Sequence, residues 1–531
     1  MKAKLKRYKS FFINLIFPAF IFGSITGIFT AIIVTLFKIC AKYAIDFSGV
    51  GYDYLRTHLY LVPVVLIVLF GVAFLLAKIY KSSPNLRGGG VPTSIAILRG
   101  LVTFNWIKSL FGVFLLSLSS FLIGVPLGNE GPGVQIGTAV GRGTIYTMAK
   151  KNKAWDRYSM TGGASAGFSV ATGAPISGIM FAIEEAHGRI SPMIIIVASV
   201  SVMMSRITTE LINLIPGLNV DIALFPNLPS IPALQIENIW IPIVVAIVVG
   251  IFAVLFLTYY KAIYSLFNKV LSKVPHFVKI FIIFALTIIL GLISSSFIST
   301  GHHLIDELLI DGGIGIVMLI LILIVRSTLT LCASSNSLTG GLFLPMMALG
   351  ATLSSIIAKI LISLGVSESY YTIIVVIGIT ACISSMMKTP LTAIFFSLEA
   401  LSCHENILYV IIAATLAFVI TEIFSVKSVN DTVLERRLEE MNGNRQVEKA
   451  DVYVTIKEGS FAIGKQIRDI FWPNSLVVLS VKHDVTKESH QVDKYGENVL
   501  REGDILHIRY STNDMARTKE ELYAIIGEQN E

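Results

Sequence analysis

Long uncharged apolar windows constrain this chain more than any other feature of its sequence. Four of them approach or exceed the roughly 20 residues that an α-helix needs to cross a bilayer, and a shorter fifth comes near the end of the membrane region. Hydrophobic residues make up 54% of the chain and charged residues 15%, which is too apolar for a soluble protein. The sequence therefore predicts a polytopic α-helical membrane protein. The windows are Phe11–Phe37, Leu59–Ala77, Ile239–Tyr260, Ile280–His303 and Ile407–Thr421.

Charge at the start of the chain predicts its orientation. Five basic residues precede the first window, and cytoplasmic segments of membrane proteins are enriched in Lys and Arg, so we expect a cytoplasmic N-terminus. The first apolar run is too long for a signal peptide and lacks a small-residue cleavage site. We interpret the net charge of +7 as a topology signal and expect no nucleic-acid partner. The five residues are Lys2, Lys4, Lys6, Arg7 and Lys9.

The sequence lacks the patterns of several common chemical sites. Its four cysteines have no metal-ligand spacing and indicate core packing. It contains no Walker loop, which argues against ATP-driven pumping, and no Ser–His–Asp arrangement can be argued. We interpret the adjacent His302 and His303 as solvated loop residues. We predict no enzyme activity, no cofactor and no resident metal. The cysteines are Cys40, Cys332, Cys382 and Cys403.

The segment Gly128–Gly137 places a carboxylate, Glu130, directly after an uncharged apolar stretch. An ionisable group at membrane depth is costly and is retained for a function. The glycines free the backbone to leave a helix. Pro132 suits the first turn of a new helix, whose N–H groups attract anions. A carboxylate that competes with a dissolved anion for one site predicts a gate.

The second half of the membrane region repeats the first. Gly341, Pro345 and Gly350 each lie 213 positions after Gly128, Pro132 and Gly137, and Pro390, Ile394, Phe396 and Glu399 each lie 215 positions after Pro175, Ile179, Phe181 and Glu184. Repeats with helices broken at matching positions predict transport through a midplane site. Phe343 occupies the position of Glu130, so one half alone carries the gate. The halves are about 11–212 and 239–438.

From about Val447 the composition becomes that of a soluble domain. Alternating residues predict strands and helices, and a tail of about 85 residues is long enough for a small α/β domain. We predict a membrane domain over 1–440, a linker over 441–446 and a C-terminal domain over 447–531. The predicted strands are Val452–Ile456, Leu476–Val481 and Asp504–Arg509, with helices near Ile463–Ile470 and at Asp514–Ile526.

Three ordered motifs resemble the CLC family of chloride channels and anion/proton exchangers. Gly88–Pro92 is similar to the family's GSGIP, Gly128–Pro132 to its GKEGP or GREGP, and Gly341–Pro345 to its GxFxP. The resemblance spans nearly the whole membrane region. It implies the CLC fold of two inverted repeats with broken helices, and a homodimer in which each subunit has its own anion pathway between facing helix starts.

The resemblance also implies roles for individual residues. Glu130 matches the external gating glutamate, which enters the anion site and takes up a proton, and the N–H of Gly131 lines the pathway. The N–H groups of Leu342 and Phe343 match those that bind the central anion. Glu185 matches the internal proton-transfer glutamate of the exchangers. Without the resemblance, Glu184 and Glu185 would simply mark the aqueous end of a span.

Two positions depart from the family pattern. Gly89 replaces the serine of GSGIP, whose hydroxyl donates to the anion. Asn430 aligns by local pattern with the tyrosine that supplies the other side-chain donor, and its amide can still donate a hydrogen bond. Fewer fixed donors weaken discrimination among anions. Chloride remains the expected anion, with nitrate, bromide and fluoride left open.

The tail resembles the RCK C-terminal (TrkA-C) domain in the segments Ile463–Ile467 and Leu500–Leu506. This resemblance implies a dimerising cytoplasmic regulatory module that can sense a small-molecule ligand. No set of residues identifies that ligand. The eukaryotic CBS domains are absent, so we expect a bacterial plasma membrane with both termini in the cytoplasm.

These features together predict a secondary exchanger that moves chloride, or a similar small anion, against protons. The alternative is a passive chloride channel of the same fold, in which Glu130 gates conduction and Glu185 is vestigial. The RCK-like tail also suggests a cation transporter as an alternative function. That function requires a carbonyl-lined filter such as TVGYG, which the sequence lacks.

Overall fold

The protein is a polytopic bundle of α-helices with a small sheet domain at its C-terminal end. Ten helices of the described residues are long and apolar enough to cross a membrane. These helices contain most of the five predicted windows, but residues 11–15 of the first window lie outside the described part. The window Ile280–His303 is too long, because its helix ends at Ile293 and is followed by a 3₁₀ turn over Ser295–Phe297. The computed structural model describes residues 16–88, 90–150, 153–218, 221–226, 228–310, 312–442, 448–474, 476–482, 489–491, 496–512 and 514–528.

The membrane region contains seventeen described α-helices, which we number in chain order. They are α1 (Phe17–Thr57), α2 (Val62–Ser82), α3 (Val91–Leu98), α4 (Trp106–Ile123), α5 (Glu130–Met148), α6 (Asp156–Thr172), α7 (Pro175–Phe181), α8 (Pro192–Asn213), α9 (Trp240–Val270), α10 (His276–Ile293), α11 (His302–Ile310), α12 (Ile316–Ser335), α13 (Phe343–Ser363), α14 (Tyr371–Met387), α15 (Pro390–Ala400), α16 (Ile407–Ile423) and α17 (Val429–Asn442).

The predicted repeat appears as two matching runs of four helices, α5–α8 and α13–α16. In each run a helix starting at a glycine-rich motif packs on the next helix through small residues. A Cβ on Gly137 of α5 would collide with the backbone of Gly163 in α6, and a Cβ on Gly350 of α13 would lie 2.7 Å from the Cβ of Cys382 in α14. Such close contacts are typical of helix packing in membranes.

Apolar side chains cover much of the outer surface of the bundle. Phe47, Ile67 and Val317 are each at least 70% exposed and lie on α1, α2 and α12. In water such a surface would cost about 25 cal/mol for each Å² of apolar area. A bilayer removes this cost, because lipid tails are as apolar as the side chains.

The C-terminal region forms a four-stranded antiparallel sheet in the order β1-β4-β2-β3, and the helix α18 comes after the last strand. The three predicted strands and the last helix are present, and Asp514 caps that helix by accepting from the N–H of Arg517 at 3.1 Å. The helix predicted near Ile463–Ile470 is wrong. That segment is a loop with a 3₁₀ turn over Ile467–Asp469, and Gly464 has a positive φ of 78°. The elements are β1 (Glu448–Thr455), β2 (Leu476–Lys482), β3 (Ser489–Gln491), β4 (Ile505–Thr512) and α18 (Met515–Ile526).

Candidate functional site

The three glycine-rich motifs converge at one point in the bundle. The N–H of Gly128 donates to the carbonyl of Gly341, and the N–H of Gly341 donates back to Gly128, both at 2.7 Å. A Cβ on Gly131 would lie 2.7 Å from the Cα of Gly341 and 3.2 Å from that of Gly90. Three backbones therefore meet where no side chain fits, which explains the glycine in each motif.

Two helices begin at this meeting point, one from each half of the repeat. Helix α5 starts at Glu130 and α13 starts at Phe343, and neither start is capped by the side chain of its N-cap residue. The first N–H groups of a helix have no partner inside it and carry a partial positive charge. Gly131 lies in the first turn of α5, while Leu342 and Phe343 are the N-cap and first residue of α13. These are three of the positions that the sequence assigns to the anion pathway.

The side chain of Glu130 is fully buried at the same point. Among the described residues, neither of its carboxylate oxygens accepts a hydrogen bond of ordinary geometry. Its Oε2 and the backbone of Leu344 both lie against Gly128, so the carboxylate of α5 reaches the start of α13. An ionised carboxylate that is buried without a partner is expensive. Its environment suits a group that moves or changes protonation.

A cavity of about 330 Å³ opens next to Glu130, between Asn129 and Leu344. Its wall includes Lys38, whose Nζ donates to the carbonyl of Asp221 at 2.7 Å, and Lys42, which pairs with the carboxylate of Asp221 at 2.7 Å. Lys38, which directly follows the first apolar window, was not predicted as a site residue. Its position on the same long helix as that window was the available signal.

Glu185 lies in a π-helical turn, Ala182–His187, that continues α7. Its side chain is buried, and its Oε1 accepts a hydrogen bond from Nδ2 of Asn430. Arg99 donates to the carbonyls of Glu185 and Ala186 at 2.9 and 3.0 Å. Isolated π-turns occur frequently at functional sites. The structure thus brings two of the predicted site residues, Glu185 and Asn430, into direct contact.

Aromatic side chains link the start of α13 to the π-turn. The ring of Phe343 lies 5.2 Å from both Phe168 and Phe396 in edge-on contacts, and Phe168 stacks on Phe181 at 5.4 Å. Phe181 directly precedes the π-turn that carries Glu185. All four rings are buried. This cluster therefore forms a continuous apolar contact from the start of α13 to the π-turn with Glu185.

Glu184 and Glu399 cap each other's helices. The carboxylate of Glu184 accepts from the N–H groups of Leu391 and Thr392 at 2.9 and 2.7 Å. The carboxylate of Glu399 accepts from those of Ile176 and Ser177 at 2.7 and 2.9 Å. The Thr392 and Ser177 hydroxyls donate to the same carboxylates. Glu184 therefore caps the N-terminus of α15. It does more than mark the aqueous end of a membrane span, which is the interpretation that the sequence alone suggested. Gly89, the remaining predicted pathway residue, lies outside the described residues.

Comparison with known proteins supports the same family. A family model described as voltage gated chloride channel matches residues 68–422. The H(+)/Cl(-) exchange transporter ClcA of Klebsiella pneumoniae subsp. pneumoniae is 27% identical over 365 residues, which cover 67% of this chain and 75% of that protein. The ClcA of Salmonella typhimurium is 25% identical over 380 residues, covering 70% and 77%.

Two solved structures share the fold. A slow cyanobacterial Cl-/H+ antiporter aligns with a TM-score of 0.70 at 21% identity, over 80% of this chain and 99% of that chain. A CLC-type fluoride/proton antiporter aligns with a TM-score of 0.62 at 18% identity, over 77% of this chain and 96% of the other. The alignments are long enough to include both helix runs of the repeat.

Proposed function

The chain belongs to the voltage-gated chloride channel (CLC) family, and from this premise we propose that it is a secondary transporter exchanging chloride, or a similar small anion, for protons. The observation that carries the proposal is the buried carboxylate of Glu130, which accepts no hydrogen bond of ordinary geometry from the described residues, at the point where two helix starts meet. The matched ClcA relatives are named as H(+)/Cl(-) exchange transporters, which supports the same activity here.

The proposed mechanism rests on competition for one positively polarised place. Helix starts attract negative charge, so the ionised Glu130 carboxylate and a dissolved anion compete for the same N–H groups. When Glu130 is protonated it loses its charge and leaves, and an anion takes its place. In the proposal the central anion rests on the N–H groups of Leu342 and Phe343, and the N–H of Gly131 lines the pathway. Two negative charges do not share the site, and this exclusion couples the two movements.

Glu185 is proposed to deliver the proton to Glu130 from the cytoplasmic side. It is buried and bonded to Asn430, which suits a carboxyl group that holds a proton away from bulk water. A passive channel has no use for such a group, so exchange is favoured over conduction. The contact with Glu185 gives Asn430 a second role beside the anion contact expected from its alignment: it orients the internal glutamate.

The proposal includes an assembly and a location. We propose a homodimer in the bacterial plasma membrane, with both termini in the cytoplasm. We divide the chain into the CLC membrane domain at 1–440, a linker at 441–446 and an RCK C-terminal-like regulatory domain at 447–531. The four-stranded sheet with its flanking helix is compatible with a small ligand-sensing domain. Chloride and protons are the proposed substrates of the transporter.

A liposome experiment tests the function directly. Purified protein is reconstituted with a chloride gradient, and a pH probe reports proton movement on the outside. We expect the chloride gradient to drive protons against their own gradient. Chloride movement with no pH change would instead establish a channel or an uncoupled carrier. If chloride does not move but fluoride or nitrate does, the anion in the proposal is replaced and the coupling test is repeated with that anion.

Substitution of Glu130 tests the proposed coupling step. Glu130→Gln keeps the shape of the side chain but cannot change its charge, so we expect proton movement to be abolished while anion flux remains. The same flux assay with the chloride and pH readouts measures both. Glu405→Gln, at an exposed carboxylate, serves as the matched control and should leave both fluxes unchanged. Persistent proton flux in Glu130→Gln would overturn the assignment.

A further inference from the structure

The C-terminal domain inserts one aromatic side chain, Phe471, into the membrane domain. Phe471 is only 6% exposed. It belongs to the same apolar cluster as Ala182 and Ile183 of the π-turn and Val197 of α8. The cluster is distinct from the core of the C-terminal domain itself. Phe471 is therefore buried by the membrane domain and not by its own sheet.

The ring of Phe471 is held by aromatic and cationic groups. Its centroid lies 4.3 Å from that of Tyr158 and 4.6 Å from that of His187, the last residue of the π-turn. The guanidinium groups of Arg157 and Arg189 lie 4.8 and 4.7 Å from the same ring. Cations over the face of an aromatic ring are attracted by its negative face, so both contacts favour this position of the ring.

Hydrogen bonds fix the loop on either side of Phe471. The Tyr158 hydroxyl donates to the carbonyl of Asp469 at 2.5 Å and accepts from the N–H of Phe471 at 3.3 Å. Arg157 donates to the carbonyl of Trp472 at 2.9 Å, and Ser191 donates to the Asp469 carboxylate at 3.0 Å. The loop therefore has a defined position on the two segments that flank the π-turn.

The C-terminal domain also has a second contact with the membrane domain, made by Phe461 and by polar residues of its last helix. The ring of Phe461 lies 5.6 Å from that of Trp155 in an edge-on contact and 5.9 Å from that of Tyr158 in a tilted one. Arg517 donates to the carbonyl of Gly100 at 3.2 Å, and Lys153 pairs with Glu520. Phe461 and Phe471 thus join the same two domains, but the ring contact with His187 of the π-turn is made by Phe471.

The segment under Phe471 is the one that carries Glu185. His187 comes two residues after Glu185, and the turn is closed by the N–H of Arg189 donating to the carbonyl of Ile183 at 3.1 Å. A π-turn has wider, less regular hydrogen bonding than an α-helix, so its shape depends on the groups that pack against it. Arg189 and His187 both contact Phe471, which places the C-terminal domain directly on this turn.

We propose that Phe471 is a positioning residue for the proton branch of exchange: through it the C-terminal domain holds the π-turn in the form that points Glu185 at Asn430. The proposal rests on the proposed exchange function. It assigns the C-terminal domain control over how many protons accompany each anion. Rearrangement of that domain, by a ligand or by assembly, affects proton delivery more strongly than anion passage.

The test compares two aromatic deletions at the same domain interface. Full-length protein carrying Phe471→Ala or Phe461→Ala is reconstituted, and proton and chloride fluxes are measured together. We expect Phe471→Ala to lower the number of protons moved per chloride about fivefold or more, within the usual range of coupling between sites. Phe461→Ala should keep the wild-type ratio, and Phe471→Leu should give an intermediate ratio because it restores bulk without the aromatic face.

A second readout does not depend on transport. Hydrogen exchange of the peptide spanning 182–191 should become faster in Phe471→Ala and stay unchanged in Phe461→Ala. Where Phe471→Ala does not yield folded protein, Tyr158→Phe removes both hydroxyl contacts to the loop and should shift the flux ratio and the exchange in the same direction. An unchanged ratio in a folded Phe471→Ala protein, or an equal fall in Phe461→Ala, overturns the positioning role. If the wild-type protein moves no protons while exchange at 182–191 still responds to Phe471→Ala, the proposed function has failed and the structural coupling stands.

Discussion

Single residues at the crossing of the three motifs have almost no freedom to change. Gly90, with φ of 114°, Gly131 and Gly341 bring three backbones together, and any Cβ at these positions meets backbone atoms. Backbone atoms cannot rotate away as a flexible side chain can. The motif glycines are thus required by close packing, whereas Glu130 between them is required by the proposed mechanism, which needs a group that can gain and lose a charge.

Gly341→Ala tests this packing. The new Cβ would lie 2.7 Å from the N of Gly131, so the two helix starts must separate. Overpacking of this kind typically costs about 1–3 kcal/mol, and we expect a lower melting temperature together with reduced anion flux. Gly71→Ala is the matched control, because a Cβ there meets open space. Gly341→Ala with wild-type stability and flux would show that the crossing is looser than the glycine contacts indicate.

Lys465 allows a pH-dependent prediction for the C-terminal domain. Burial lowers the pKa of its ammonium group to about 8, and its Nζ donates to the carbonyl of Phe461. The unfolded pKa is higher, so the folded domain disfavours the charged form. This penalty is full below about pH 8 and disappears as the pH rises to about 10.5, amounting to about 3 kcal/mol. Lys465→Met should therefore raise the melting temperature of the full-length protein at pH 7 and have little effect at pH 10.5. An equal effect at both values would contradict this account.

At the level of elements, the short helices α7 and α15 depend on each other. A carboxylate at the end of each helix caps the start of the other. The two carboxylates, Glu184 and Glu399, occupy equivalent positions in the repeat. An N-cap contributes about 0.5–2 kcal/mol. The two caps differ in the residues that come after them: Glu184 precedes Glu185 in the π-turn, whereas no ionisable residue of the proposed pathway comes after Glu399.

Glu184→Gln and Glu399→Gln separate stability from coupling. The two N–H groups at each cap bond to different carboxylate oxygens, and the amide replaces one of these oxygens by an NH2 donor. One N–H then loses its acceptor, so each substitution should cost about 1 kcal/mol of stability. We expect similar falls in melting temperature for the two variants. Only Glu184→Gln should also change the number of protons moved per anion, because it loosens the turn that holds Glu185. Equal flux ratios in both variants would show that the caps act on stability alone.

Sequence patterns predicted the elements that depend on local composition and missed those that depend on distant contacts. The apolar windows arise from contact with lipid, and the repeated glycines arise from close helix packing. Both leave a pattern in the local composition, so both could be predicted from the sequence. The segment Ile463–Ile470 has helix-like apolar spacing, but its residues pack against the sheet and the neighbouring loop instead. The short polar strand Ser489–Gln491 gave no signal. The reciprocal caps were detectable in principle, since Glu184 and Glu399 share the repeat offset.

At the scale of the whole molecule, two similar halves are used for different tasks. The first half contributes the carboxylate of Glu130. The second contributes Phe343 at the same repeat position, and its ring packs into the aromatic cluster with Phe168 and Phe396. Pairing of Gly128 with Gly341 joins the two helix starts. The symmetric scaffold therefore presents an asymmetric site, at which the first half places an ionisable group and the second half an apolar one.

The C-terminal domain breaks the symmetry further, because its buried Phe471 lies beside the π-turn of the first half, which carries Glu185. The main apolar cluster of the membrane domain extends to Val433 and Leu434 of α17, while the C-terminal sheet has its own core. A chain ending at residue 442 should therefore fold and keep Asn430 on Glu185.

Such a truncated chain loses Phe471 from the cluster around Tyr158, so we expect it to transport anions with the reduced proton ratio of Phe471→Ala. Flux measurements in liposomes, with the full-length variant alongside, make the comparison. A truncated chain with wild-type coupling would show that the π-turn keeps its shape unaided. A truncated chain with no anion transport would show that the C-terminal domain also supports the anion pathway.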